Sequence, residues 1–306
     1  MSKVWFVTGS SRGLGRKIVE AALEAGDRVV ATARKPKQLS ELAACYGDRI
    51  LPVALDVSDN NDVLKAIAVG LDAYGRYDVV VNNAGYGVTA SIEDATLEDF
   101  RAQIDTNFYG VVHVTKAVLP ILRRQGHGHI FQISSLGGRV GSVGLSAYQS
   151  AKWAVGGFST VLAQEVAPLG IKITVLEPGG MATDWAGSSM SIPPISEPYQ
   201  QTVGEFARIL PTWPMPSDPA KVADVILSLA GRQDAPLRLL IGPDAVAHAA
   251  AVAQTLAASD HMWHDLSIST AVSVQADKPL PYRSRDLGLE QGSRSLIAER
   301  PAPASQ

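Results

Sequence analysis

A chain of 306 residues with 46% hydrophobic and 19% charged side chains is long enough to bury an extended core, and its balance is that of a globular protein. A formal net charge of -3 gives no basic footprint for nucleic acid or an anionic membrane surface, and the single cysteine, Cys45, cannot close an internal disulfide. The most alanine-rich stretch, Ala245 to Ala258, is interrupted by His248 and Gln254 and is too short to span a bilayer. Lys3 to Thr8 already reads as a strand and leaves no room for a signal peptide, so a cytoplasmic protein is expected.

Val4-Trp-Phe-Val7 is an apolar run without polar alternation, the pattern of a strand covered on both faces. It runs into Thr8-Gly9-Ser-Ser11-Arg12-Gly13-Leu14-Gly15 and then an amphipathic helix through Ile18, Val19, Ala22 and Leu23. A glycine turn between strand and helix lets the backbone approach a pyrophosphate, and the helix N-terminus aims N–H groups and a positive dipole at it, so a dinucleotide is the expected guest. Gly26 closes this helix and Arg28 to Ala33 forms the second strand. An acidic residue at its end would grip a ribose 2′-hydroxyl; Arg34 stands there instead, and with Arg12 it favours a 2′-phosphate, hence NADP(H) over NAD(H).

A helix from Pro36 to Tyr46 precedes a strand from Ile50 to Leu55, with Asp56 and Val57 at its carboxyl end where an adenine edge can hydrogen-bond. A helix from Asp59 to Tyr74 leads to the strand Asp78 to Val81, which ends in Asn82-Asn83-Ala84-Gly85, small and amide side chains suited to the floor beneath a flat cofactor. This alternation predicts an α/β fold, a Rossmann-like doubly wound parallel sheet in a single domain. Leu97 to Gln125 reads as one long helix, and Asn107 in its interior predicts a bulge or kink.

The strand His129 to Ile133 delivers Ser134 and Ser135, then a glycine-rich bend from Leu136 to Leu145, then a helix in which Tyr148 and Lys152 share a face at i and i+4. A free phenol titrates at about pH 10 and is a poor acid or base at neutral pH. A neighbouring ammonium is expected to draw the Tyr148 pKa down and make it the acid/base, with the Ser135 hydroxyl holding a substrate oxygen beside it. Pro168-Leu-Gly170 ends that helix, Ile171 to Leu176 is another buried strand, and Glu177-Pro178-Gly179-Gly-Met-Ala-Thr183 lies at its carboxyl end on the ligand-binding rim.

Taken together, Thr8-Gly-x-x-x-Gly13-x-Gly15, Asn82-Asn-Ala-Gly85, Asn107, Ser135, Tyr148-x-x-x-Lys152 and Pro178-Gly-x-x-x-Thr183 resemble the short-chain dehydrogenase/reductase family from Lys3 to about Gly242. The resemblance implies that Gly9, Ser11, Gly13, Leu14 and Gly15 line the pyrophosphate turn. It places Asp56 and Val57 at the adenine, Asn83, Ala84 and Gly85 on the cofactor floor, and Pro178, Gly179 and Thr183 at the nicotinamide, with Thr183 on its carboxamide. It further implies a catalytic set of Asn107, Ser135, Tyr148 and Lys152. In that set Tyr148 passes a proton to the oxygen of a carbonyl receiving hydride, Ser135 orients it, Lys152 holds the nicotinamide ribose, and Asn107 anchors a water on the proton path. Ala31-Thr-Ala-Arg34 and Leu239-Leu-Ile-Gly-Pro-Asp244 are similar to bacterial members grouped with hydroxysteroid and retinol dehydrogenases. A homodimer or homotetramer is implied by the same resemblance.

Between Trp185 and Pro219 periodicity fades, and Met190, Ile192, Pro193, Pro194, Tyr199, Phe206, Trp213 and Met215 suggest an apolar lid over the substrate. Tyr86, Leu136, Val143, Leu145, Trp185 and Met190 are the candidate substrate walls, and a hydrophobic ketone, aldehyde or secondary alcohol the expected small-molecule partner. A helix from Pro219 to Ala230 and a strand from Leu237 to Ile241 complete the catalytic domain at residue 242; a helical extension (243–275) and a polar tail (276–306) follow. No metal is expected, since His261 and His264 lack further ligands. Two other functions fit the fold less well: a cofactor-binding sensor, which has no chemical need for all four catalytic residues, and an epimerase or dehydratase.

Overall fold

The apolar run at the start of the chain divides between two cores. The computed structural model describes residues 2–183 and 190–272. Its strands are β1 (Val4–Val7), β2 (Arg28–Ala33), β3 (Ile50–Ala54), β4 (Val79–Asn82), β5 (Gly87–Val88), β6 (Gly128–Ile133), β7 (Ile171–Pro178), β8 (Met190–Ser191) and β9 (Arg238–Ile241). Seven of them form one parallel sheet in the order β3-β2-β1-β4-β6-β7-β9, and β5 and β8 make a separate parallel pair. By strand alternation Trp5 and Val7 enter the core with Ile18, Leu23 and Ile226, while Val4 and Phe6 enter the other with Val63, Val118 and Leu122. Helices α1 (Gly13–Glu24), α2 (Ser40–Tyr46) and α8 (Pro219–Ala230) supply the first layer. Helices α3 (Asn60–Tyr74), α5 (Gly110–Gln125) and α6 (Ser146–Val166) supply the second. The strand order reverses between β1 and β4, so their carboxyl ends diverge into a crevice, the place where open α/β sheets bind ligands.

The expected single helix over Leu97–Gln125 is instead α4 (Leu97–Ile104), one π turn (Asp105–Tyr109) and α5. Asn107 sits in that wide turn, the local defect its poor helix propensity called for. The element expected from Pro36 opens with a tight 3₁₀ turn, Pro36–Leu39, before α2. The segment expected to be an aperiodic lid holds β8, a π turn (Gln200–Gly204) and α7 (Glu205–Ile209) within its described part. The C-terminal helix starts at Pro243 and breaks at Trp263 into α9 (Pro243–Met262) and α10 (His264–Ile268). Tail residues 276–306 and Trp185 lie outside the described residues. Among the described residues no helix is long and apolar enough to cross a membrane.

Gly15 lets α1 meet the sheet: a Cβ there would overlap the Gly9 carbonyl oxygen and the Asn83 amide. Gly15→Ala is therefore expected to cost about 1–3 kcal/mol of stability by overpacking, measured by urea unfolding.

Candidate active site

The glycine turn is shaped by backbone conformations that favour glycine, Gly9 at φ 68 and Gly13 at φ 55. Helices α3, α4 and α8 are capped by the side chains of Asp59, Thr96 and Asp218, whereas α1 begins at Arg12 with no side-chain cap and no acidic residue in its first turn. Its N-terminus thus fits an external anion such as a diphosphate. Thr8 and Asn83 tie the turn to the end of β4. The Thr8 hydroxyl oxygen accepts the N–H groups of Asn83 (2.9 Å) and Ala84 (3.0 Å), and the Asn83 amide donates to Thr8 O (3.0 Å) and Gly9 O (3.2 Å). Ser11 is half-buried, Leu14 and Gly15 are buried, and Arg12 and Arg34 are exposed on the rim. Asp56, beside buried Val57, accepts from the Ser58 hydroxyl (2.6 Å) and N–H (3.0 Å). Those bonds, led by the hydroxyl, hold its carboxyl below the usual range against partial burial, and the Arg34 charge adds to them.

Further along the same edge, Tyr148 and Lys152 are both buried and Ser135 is half-buried. Ser135 hydrogen-bonds the Tyr148 phenol, and its hydroxyl oxygen accepts Gly137 N–H (3.0 Å). Lys152 Nζ donates to Ile133 O (2.8 Å) and stands 5.6 Å from the Tyr148 ring centre. Its carbonyl accepts from the hydroxyl of buried Ser134 (3.1 Å). The expected lowering of the Tyr148 pKa is not what the fold does: burial pushes the phenol up to about 12, and the Ser135 hydrogen bond only opposes it. Burial likewise draws Lys152 down to about 8. At neutral pH the phenol keeps its proton and Lys152 is still mostly an ammonium. Asn107 Oδ1 accepts Tyr86 N–H (3.1 Å), and its Nδ2 donates to Tyr86 O (2.9 Å) and Gln103 O (2.9 Å). Gly85 is the spacer between Asn107 and Lys152, since a Cβ on it would lie 2.5 Å from Asn107 Oδ1 and 3.6 Å from Lys152 Nζ.

Pro178 ends β7 and Gly179 opens the loop to Thr183, whose side chain comes within 3.7 Å of where a Gly13 Cβ would stand, so the two loops face each other across the crevice. On the outer side Leu145 and Met190 pack with Leu210 and Phe206, and Thr89 joins Met190 Sδ (3.1 Å). Leu136 opens the turn after Ser135, and Val143 is exposed. Half-buried Tyr86 has its phenol raised by burial and then by Asp99; Arg34 opposes them. A cavity of about 110 Å³ lined by Val88, Ala90, Gly144, Ala147 and Pro193 lies beneath this flap. A larger cleft of about 440 Å³, near Lys3, Arg76 and His127, opens at the opposite edge of the sheet.

Sequence reasoning passed over the brace beneath the Ser135 loop. Glu177, fully buried, receives Arg139 Nε (2.7 Å) and Nη2 (2.6 Å) on one oxygen and Arg238 Nε (2.9 Å) and Nη2 on the other. Its partners lie 38 and 61 residues away, so no local pattern announces them.

The glycine turn and the cluster of buried Tyr148 and Lys152 with half-buried Ser135 thus lie on one edge of the sheet. The family model described as short chain dehydrogenase matches residues 3–191. The chain is 62% identical over 274 residues to oxidoreductase BOA17 of Botryotinia fuckeliana (strain B05.10), covering 89% of this chain and 100% of that protein. It resembles the crystal structure of a short-chain dehydrogenase from Streptomyces avermitilis (TM-score 0.83, 37% identity, 88% of this chain and 98% of that one). It also resembles ElxO with NADP bound (TM-score 0.68, 29% identity, 81% and 100%). The chain belongs to the short-chain dehydrogenase/reductase family, whose members use NAD(P)(H).

Glu177→Gln would leave two guanidinium groups without their carboxylate. Because those groups retain 35% and 30% exposure, the expected loss is about 2–3 kcal/mol, below the cost of stranding a fully buried charge, measured by urea unfolding.

Proposed function

We propose that this protein is an NADPH-dependent oxidoreductase interconverting an apolar ketone or aldehyde and its alcohol. The observation that carries this is the buried Tyr148, hydrogen-bonded to Ser135 on the same sheet edge as the glycine turn. The nicotinamide, when bound, supplies the hydride to the carbonyl carbon or accepts it from the alcohol. Tyr148 gives its proton to the substrate oxygen, and Ser135, held by Gly137, fixes that oxygen beside the phenol. The Lys152 ammonium stabilises the tyrosinate left behind and would hold the nicotinamide ribose. Asn107 has its side chain committed to Tyr86 and Gln103, so its contribution is the wide turn, whose backbone, rather than the Asn107 amide, would hold water on the proton path.

Asp56 and Val57 would frame the adenine, and Asn83, Ala84 and Gly85 the floor. Arg12 and Arg34 at the adenosine rim support NADP(H) over NAD(H), and Thr183 facing Gly13 supports its role on the carboxamide. The packed apolar flap of Leu145, Met190, Phe206 and Leu210 supports a hydrophobic substrate. Exposed Trp153 and Val161 on α6 support self-association into a dimer or tetramer.

The test is nicotinamide absorbance with purified protein, NADPH or NADH, and a panel of apolar ketones and aldehydes. Tyr148→Phe is expected to lower kcat about 10²–10⁴-fold; turnover that survives it would refute the proton donor. Binding of NADPH without turnover of any substrate would favour the sensor. Arg34→Ala is expected to raise the KM for NADPH about tenfold or more and leave that for NADH unchanged, as loss of a charge-assisted bond implies. For reduction, kcat should hold through neutral pH and fall above pH about 8 as Lys152 loses its proton. The sign follows from the charge: only the ammonium, present below that pKa, stabilises the nascent tyrosinate. Lys152→Met should abolish the inflection.

A further inference from the structure

The loop from Gly179 to Thr183 is held from outside the catalytic motifs, by two residues to which no role has been given above. Ser217, ahead of α8, donates its N–H to Gly180 O (3.1 Å) and accepts Ala182 N–H at its carbonyl (3.0 Å). Asp244, in the first turn of α9, accepts Gly180 N–H at Oδ2 (2.6 Å). The carboxylate is wedged between two glycines. A Cβ on Gly179 would overlap it, and one on Gly242 would lie 2.7 Å from Asp244 Oδ1 and 2.5 Å from Ser217 Oγ. Those last two atoms are buried and have no hydrogen-bond partner among the described residues. One is an acceptor and the other a donor beside the same α-carbon, so a single water accepting from the hydroxyl and donating to the carboxylate satisfies both. The start of a helix also favours a carboxylate.

We propose that Asp244, with Ser217, is a positioning residue for the nicotinamide half of the cofactor: by fixing Gly180 it sets the loop that aims Thr183 at the carboxamide. This rests on the role assigned to Thr183 above. The C-terminal extension is thereby joined to the chemistry at its first turn.

Calorimetric binding of NADPH is compared with that of 2′-phospho-ADP-ribose, the cofactor without its nicotinamide. Asp244→Ala is expected to weaken NADPH at least tenfold and the fragment less than twofold. Asp244→Asn, which keeps an acceptor for Gly180 N–H, should stay within threefold of wild type for both. Equal weakening of NADPH and fragment by Asp244→Ala would mean a general structural role and overturn the proposal, as would unchanged NADPH binding. Thr183→Ala separates the two ideas. If it weakens NADPH and Asp244→Ala does not, the inference on Asp244 alone falls; if it leaves NADPH unaffected, the carboxamide anchor falls and this inference with it.

Discussion

Where β1 and β4 part, the hydrogen bonds between Thr8 and Asn83 decide how wide the crevice stands. Thr8 N–H already donates to Val81 O (3.0 Å), so the ladder between the strands runs directly into the clamp. Much of the crevice rim is then delivered by the carboxyl ends of parallel strands. β1 carries the glycine turn, β2 Arg34, β3 Asp56, β4 the amide floor, β6 Ser135 and β7 the loop to Thr183. Parallel pairing puts all these ends on one edge, which is why motifs spread over most of the chain converge without any of them being close in sequence.

Burial does the electrostatic tuning at the centre of that edge, and it does so against the simplest expectation. A lysine at i+4 from a tyrosine suggests a lowered phenol pKa, yet Lys152 spends a hydrogen bond on Ile133 O and stands off the ring face. Desolvation wins for both groups, raising the acid and lowering the cation.

Legibility in the sequence followed the range of the interactions. The Val4–Val7 run, the glycine turn and the Tyr148–Lys152 spacing are local patterns, and each lies where periodicity and turn chemistry put it. Asn107 announced a helix defect through its own propensity, but whether that defect would be a kink or a π turn depended on Gln103 and Tyr86, partners that the pattern does not reveal. The Arg139–Glu177–Arg238 brace and the Asp244 contact to Gly180 join residues far apart in the chain. A charged residue in a strand such as β7 signals that something must neutralise it. It does not say which arginine arrives.

The two sides of the crevice are held by interactions of very different strength. The Ser135 side rests on a fully buried carboxylate gripped by two guanidinium groups, and removing that carboxylate strands both. The flap rests on Thr89 N–H to Ser191 O (2.9 Å), Ser196 N–H to Asp94 (3.1 Å) and a small cluster around Leu145, Met190 and Leu210. Apolar packing of that kind tolerates exchange of side chains of similar volume at modest cost. Substitutions of similar volume in the flap are therefore tolerated locally, whereas a change at Glu177 must be answered at Arg139 and Arg238 together.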